Sequence, residues 1–263
     1  MMLANALALG AIRRGGGGAS YDPDAEALFA RFTTPPTQGR KGLINTLIVA
    51  LKGAGVWSKL DVLWLAGADA QATRRNWIAD QYNLGAVSSP VFTIDRGYQG
   101  DGSAGYLSTS FNPSTAVSAK FTRNSASIFL WSRTDVDNQQ AMGNGNTVLV
   151  PRSSVDATCR VNNAGTATAS TGGQSRDALG YFSAIRSGAS NERLRRGGVT
   201  IATRSDAASS APDNSELTFL RRNTFYSTLQ LAAGGFGAAL TDAEDGALCA
   251  AITDYLQAIG AAA

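Results

Sequence analysis

The sequence predicts a mainly β protein: an antiparallel two-sheet sandwich or jelly roll, carrying a small helical unit built from both ends of the chain. Three observations predict it. From about residue 84, short runs alternate apolar and polar residues with the period of two that a half-buried strand requires, between clusters of Gly, Asn, Asp and Ser. Residues 20–80 and 242–259 instead repeat apolar residues every three or four positions, as a helix with one buried face does. The 263 residues suffice for a large core, and 44% apolar residues with 29 glycines suit many short strands and turns. The predicted organisation is an apolar tag and Gly linker over 1–18, a helical segment over 19–83, the sandwich over 84–238, and a C-terminal helix in 239–263 packed on the helical segment.

The elements follow in order. Asp22 before Pro23 is an N-cap with proline at the first helical position, and Ala27, Leu28, Phe29 and Phe32 supply an apolar stripe before Pro35-Pro36 ends the helix. A second helix fits residues 38–52, where Leu43, Leu47 and Leu51 recur beside Ile44 and Ile48, with Gly53 and Gly55 as the exit. Val62, Leu63, Trp64 and Leu65 form an apolar run inside this helical region, and Asp69 caps a brief helix through Arg75. Trp57, Trp64 and Trp77 are expected in the core rather than on a ligand platform. The candidate strands are PVFTID, GYLSTSF, ASIFLWSR, NTVLV, ATCRV, GYFSAIRS, ERLRR, VTIATR, ELTFLRR and TLQLAAGGF. After them Thr241 and Glu244 form a capping box, and Leu248, Ile252, Tyr255 and Ile259 make a stripe expected to pack on the N-terminal helices.

Composition excludes several functions. There is no histidine, which removes His-dependent nucleophile triads and His-ligated metal centres. Cys159 and Cys249 are the only cysteines, and reduced, buried thiols are expected. No cofactor and no metal are expected; Asp135 and Asp137 read as turn residues and make a poor calcium ligand set. The net charge of +3, with acids interspersed among bases, argues against a nucleic-acid partner. No stretch reaches the roughly 20 apolar residues of a membrane span. In MMLANALALGAIRRGGGG the positive charges follow the apolar run, the reverse of a secretory signal, so Leu3, Leu7, Leu9 and Ile12 read as an anchor joined by Gly15–Gly18 to the body.

The arginine-rich stretch RLRRGGVTIATRS, residues 193–205, reads as an amphipathic hairpin turning at Gly197-Gly198. Pairing outward from the turn sets Leu194 opposite Ile201, places Leu194, Val199 and Ile201 on one face, and leaves Arg193, Arg195 and Arg204 on a solvent face. No aromatic residue lies between 183 and 218, so the stretch lacks the stacking platforms of a single-strand nucleic-acid site.

This hairpin resembles the strand, Gly turn, strand unit of laminin-G and concanavalin A-like jelly rolls. DRGYQGDGSAGYLSTSFNPS, ASIFLWSRTD and LAAGGFGAALTDAEDGALCAAI are similar to further strands of that family. The order of helical residues 42–78, this early strand pair, the hairpin and the LTDAE helix resembles tail-fibre-like or minor structural proteins of tailed-bacteriophage virions, over residues 21–260. The resemblance implies a virion location, attachment to other virion proteins and, for some members, recognition of a host surface polysaccharide. It implies no catalytic residue. The candidate glycan contacts are Trp131, Arg133, Tyr98, Tyr106, Arg193, Arg195 and Arg204. Burying the four apolar tag residues contributes on the order of 6–10 kcal/mol, and ordering the tag costs a comparable amount, so a homo-oligomer, with a trimer favoured, is expected to gather several tags. An alternative is a capsid decoration or head-fibre protein with an assembly role only. A polysaccharide hydrolase is less favoured, since Glu26, Glu192, Glu216 and Glu244 are the only glutamates and none lies near another acid at strand spacing within a hydrophobic strand.

Overall fold

The computed structural model describes residues 20–262. The predicted anchor (Leu3, Leu7, Leu9, Ile12) and the Gly15–Gly18 spacer lie outside the described residues. Helices α1 (Pro23–Phe29) and α2 (Gln38–Gly53) come first, then a 3-10 turn at Trp57–Lys59, strand β1 (Leu60–Leu65) and the short α3 (Ala70–Thr73). Short strands β2 (Gly85–Val87), β3 (Val91–Thr93), β4 (Gly97–Gln99) and β5 (Tyr106–Ser108) follow. The middle of the chain supplies β6 (Ala126–Ser132), β7 (Met142–Gly143), β8 (Val148–Ser153), β9 (Asp156–Arg160) and β10 (Thr168–Ala169). Next come β11 (Gly180–Arg186), β12 (Glu192–Arg196), β13 (Val199–Arg204), β14 (Thr218–Phe219), β15 (Arg221–Arg222), β16 (Phe225–Tyr226) and β17 (Gln230–Gly237), before helix α4 (Asp242–Ala258).

The strands form an antiparallel sandwich. One sheet runs β13-β12-β11-β6-β17-β4-β3, and the other β10-β9-β8-β7-β14-β5-β2, while β15 and β16 make a separate hairpin. Helices cover the outer face of the first sheet, giving three layers. Leu60, Leu63, Leu65, Phe129, Trp131, Tyr181 and Ile185 of that sheet share one buried cluster with Leu28, Ile48, Leu51, Leu248 and Ile252 of the helices. Val62, Trp64, Ile128, Leu130, Phe182, Leu194 and Phe236 share the other with Leu107, Met142, Leu149, Cys159 and Phe219 of the second sheet.

Local rules explain the helix ends. Asp22 accepts from the Asp24 N–H at 2.9 Å with Pro23 at the first position, and Thr241 and Glu244 complete their reciprocal capping box. Helix α4 lies against α2, and Leu248, Ile252, Tyr255 and the part-buried Ile259 face that contact and the sheet. In α1 the buried residues are Ala25, Leu28 and Phe29, with Ala27 left exposed.

Three expectations are corrected. Residues 60–65 form not part of a helical segment but strand β1, which pairs with β17 over Ala233–Gly237, beyond the stretch of β17 that pairs with β4. Both faces of β1 are buried, so its sequence is apolar throughout and carries no period of two. The run ELTFLRR is two strands, because Leu220 adopts φ +63° between β14 and β15. The hairpin of β12 and β13 turns at Gly197-Gly198, both at positive φ, but a bulge between Leu194 and Arg195 sets Leu194 opposite Ala202 rather than Ile201.

The larger consequence concerns Arg193 and Arg195 of that hairpin, which face α4 instead of solvent. Arg195 is only 2% exposed. Its Nε donates to Asp245 Oδ2 at 2.6 Å, its Nη1 donates to Thr200 Oγ1 at 2.6 Å and lies 2.6 Å from Asp242 Oδ1, and Tyr181 Oη donates to Asp245 Oδ1 at 2.7 Å. Arg193 donates to Leu240 O at 3.0 Å and pairs with Asp242 at 3.2 Å. Burial beside the Asp245 carboxylate pushes the Tyr181 hydroxyl well above its usual range.

Candidate functional site

The second sheet has one face turned away from the core. Register pairs Val148 with Arg160 and Val150 with Thr158 on that face, and alternates them with Leu149 and Cys159, which point inward. An open groove of about 350 Å³ lies there, floored by Val148 and Val150 and walled by Asn138, Gln140, Thr158, Arg160 and Arg222.

Arg222 is held from three sides: it donates to Asn144 O at 2.8 Å, Gly145 O at 2.6 Å and Gln140 Oε1 at 3.1 Å. Arg160 donates to Gly165 O at 3.2 Å. Among the described residues neither forms an ion pair, whereas many of the remaining arginines do. Burial, and then the nearby Arg160 charge, lower the Arg222 guanidinium from its usual range, while Asp213 opposes the shift. Two guanidiniums on one groove present positive charge and N–H donors of the kind that suit a carboxylate's two oxygens.

An exposed aromatic residue stands opposite Arg222 on the β15–β16 hairpin. Arg222 pairs across the β15–β16 hairpin with Phe225, so both project from the same side of the ribbon, and Phe225 is 55% exposed. The other side of the hairpin is structural: Arg221 sits 3.9 Å over the Tyr106 ring, and Tyr106 lies 6.2 Å from Tyr226. The groove residues come from five separate stretches of chain, those of Asn138, Val148, Thr158, Ala167 and Arg222, and only Arg222, with its neighbour Phe225, carried a local signal, an arginine and an aromatic flanking a turn.

The sequence-predicted contacts are dispersed. Trp131 borders a different open cavity, of about 330 Å³, together with Leu179, Arg196 and Thr253. Tyr98 is buried and donates to Ala70 O at 3.2 Å. Arg133 donates to Ala261 O at 2.5 Å and to Gln230 Oε1 at 2.7 Å, tying the chain end to the sheet. Arg204 pairs with Asp206 at 3.0 Å and donates to Thr166 O at 2.6 Å. Arg193 and Arg195 are engaged by α4, so the expectation that they offer a free cationic face is corrected.

The glutamates are likewise engaged or alone. Glu192 is buried, accepts from Val161 N at 2.5 Å and Thr168 Oγ1 at 2.6 Å, and lies 3.6 Å from Arg186; burial pushes its carboxyl up despite these partners. Glu216 accepts from Ser108 Oγ and Ser110 N. Glu244 completes the α4 cap and pairs with Lys59 at 2.6 Å, and Glu26 is exposed on α1. Among the described residues no cluster of three metal-ligating side chains occurs, and no helix is long and apolar enough to cross a membrane. Cys159 and Cys249 are free and buried.

The fold and groove define a class: an antiparallel jelly-roll sandwich with a polar, cationic recess on one sheet. The chain matches no family model and no curated protein by sequence. Solved structures share its fold. The botulinum neurotoxin serotype D ligand-binding domain, in complex with N-acetylneuraminic acid, aligns with TM-score 0.52 at 9% identity over 75% of this chain and 51% of that one. The binding domain of Paraclostridial Mosquitocidal Protein 1 aligns with TM-score 0.51 at 12% identity over 73% and 52%, and Trypanosoma rangeli sialidase with 0.50 at 10% identity over 80% and 39%. This chain therefore spans about half of those binding domains, and less of the sialidase.

Proposed function

We propose that this chain is a glycan-recognition module that binds an acidic sugar in the groove of Arg160 and Arg222, with Phe225 standing opposite Arg222, and that it serves a tailed bacteriophage as a fibre- or spike-like virion protein. The carrying observation is the pair of guanidiniums without carboxylate partners beside an exposed aromatic ring. Arginine forks suit a uronate or sialate carboxylate, the amides of Asn138 and Gln140 suit hydroxyls, and the Phe225 face suits the apolar side of a pyranose. The fold shared with sugar- and receptor-binding domains supports the same reading, although fold alone does not assign function.

The virion role rests on the sequence resemblance and on the apolar segment before residue 15. In this reading the segment seats an oligomer, a trimer by preference, on the particle, and the sandwich faces outward to a host polysaccharide. Titration calorimetry with trigalacturonate and sialyllactose, against neutral lactose, tests the glycan reading. An acidic sugar binds and lactose does not, and Arg160→Ala weakens binding roughly ten-fold or more, the value of one charge-assisted contact. Equal binding of lactose, or an Arg160→Ala variant that binds as the parent does, overturns it.

A further inference from the structure

A second cavity, of about 210 Å³, lies where the helical layer meets the first sheet. Its walls are mostly apolar: Phe32, Ile44, Leu65 and Trp77, closed on one side by the exposed Pro35-Pro36 turn between α1 and α2. For scale, a dry engineered cavity of about 150 Å³ takes up benzene. The turn places two residues without backbone N–H donors against the space.

Two polar features point to an occupant. Trp77 is almost wholly buried, lines the cavity and keeps its indole Nε1–H without an acceptor. A buried donor left in this state is costly until an acceptor reaches it. Arg40, also on the wall, is already neutralised: its Nη2 donates to both oxygens of Asp95 at 2.9 Å, and its Nη1 to Tyr255 Oη at 3.3 Å. An anionic ligand placed beside Arg40 would meet the Asp95 carboxylate, whereas a neutral one would not.

We infer that this cavity is a binding site for a small, flat, uncharged molecule of about the size of indole, which carries one hydrogen-bond acceptor for Trp77. Such a ligand touches α2, β1 and Tyr255 of α4 at once, and so clamps the helical layer to the sandwich. This inference stands apart from the sugar groove, which occupies the opposite sheet.

Acetophenone, neutral with one carbonyl, is the probe, and benzoate is its charged counterpart. In nitrogen-15 NMR of the full chain, with the Trp77 indole signal assigned by Trp77→Phe, acetophenone shifts that signal saturably and raises the melting temperature. Benzoate binds at least ten-fold more weakly, and Ala72→Leu, which fills the cavity from α3, abolishes the shift. An unmoved Trp77 indole signal, or benzoate binding as tight as that of acetophenone, overturns the inference. The titration of the parent protein decides this by itself if Ala72→Leu does not fold.

Discussion

Asp245→Ala should destabilise this protein far more than Asp242→Ala, the deletion of the neighbouring exposed carboxylate. Asp245, in the first turn of α4, is fully buried against the sheet and accepts from both Arg195 and Tyr181. Removing it takes the buried carboxylate from a guanidinium that is 2% exposed and leaves the Tyr181 hydroxyl without its acceptor. Breaking a buried pair from one side costs about 3–5 kcal/mol. Asp242 still holds Arg195 at 2.6 Å, which favours the lower end of that range, about 3 kcal/mol. For a domain of this size the melting temperature then falls by roughly 6–12 °C. Asp242→Ala is the control: its carboxylate is 59% exposed, so its loss costs about 1 kcal/mol or less. The double variant Arg195→Met, Asp245→Leu should recover most of the loss, since apolar packing replaces a buried pair at little cost. Urea denaturation followed by tryptophan fluorescence measures all four proteins. Asp245→Ala within 1 kcal/mol of the parent, or no worse than Asp242→Ala, would refute the claim that this pair fastens α4 to the sheet.

Further outcomes follow from other parts of the molecule. Gly235→Ala puts a Cβ 2.2 Å from Val62 O and 2.4 Å from Phe129, so thermal melts should show a loss of about 1–3 kcal/mol or no folding. Burial pushes the Glu244 carboxyl up, but the Lys59 and Thr241 hydrogen bonds outweigh it and hold the group below its usual range. Its contribution is therefore present above the unfolded-state value and lost as pH falls through the lower folded one; Glu244→Gln should flatten the urea midpoint between roughly pH 5 and pH 3. Cys159 is fully buried, and that burial raises its thiol, so a disulfide reagent should leave it unlabelled in the native protein and label it in urea. Deleting residues 2–14 should leave a folded body that is missing from purified particles, and normal incorporation of the truncated protein would remove the anchor from the account.

The sequence reveals what depends on neighbours a few residues away. Asp22-Pro23, Thr241 with Glu244, and Gly197-Gly198 each solve a local backbone problem, and each does so in the structure as their spacing implies. Strand β1 was hidden because burial on both faces erases the alternation that marks a strand. The arginine face was misread because its cover is α4, whose Asp245 stands 50 residues from Arg195. The groove was invisible for a related reason: Gln140 and Arg222 are 82 residues apart, and only sheet pairing brings Arg160 alongside them.

The account turns on the cationic groove, and a crystal structure of the full chain with trigalacturonate tests it most directly. It predicts a sugar carboxylate within hydrogen-bonding distance of Arg160 and Arg222, with a pyranose ring against Phe225. Sugar seated instead beside Trp131 and Arg196, with the groove of Arg160 and Arg222 empty, would contradict it.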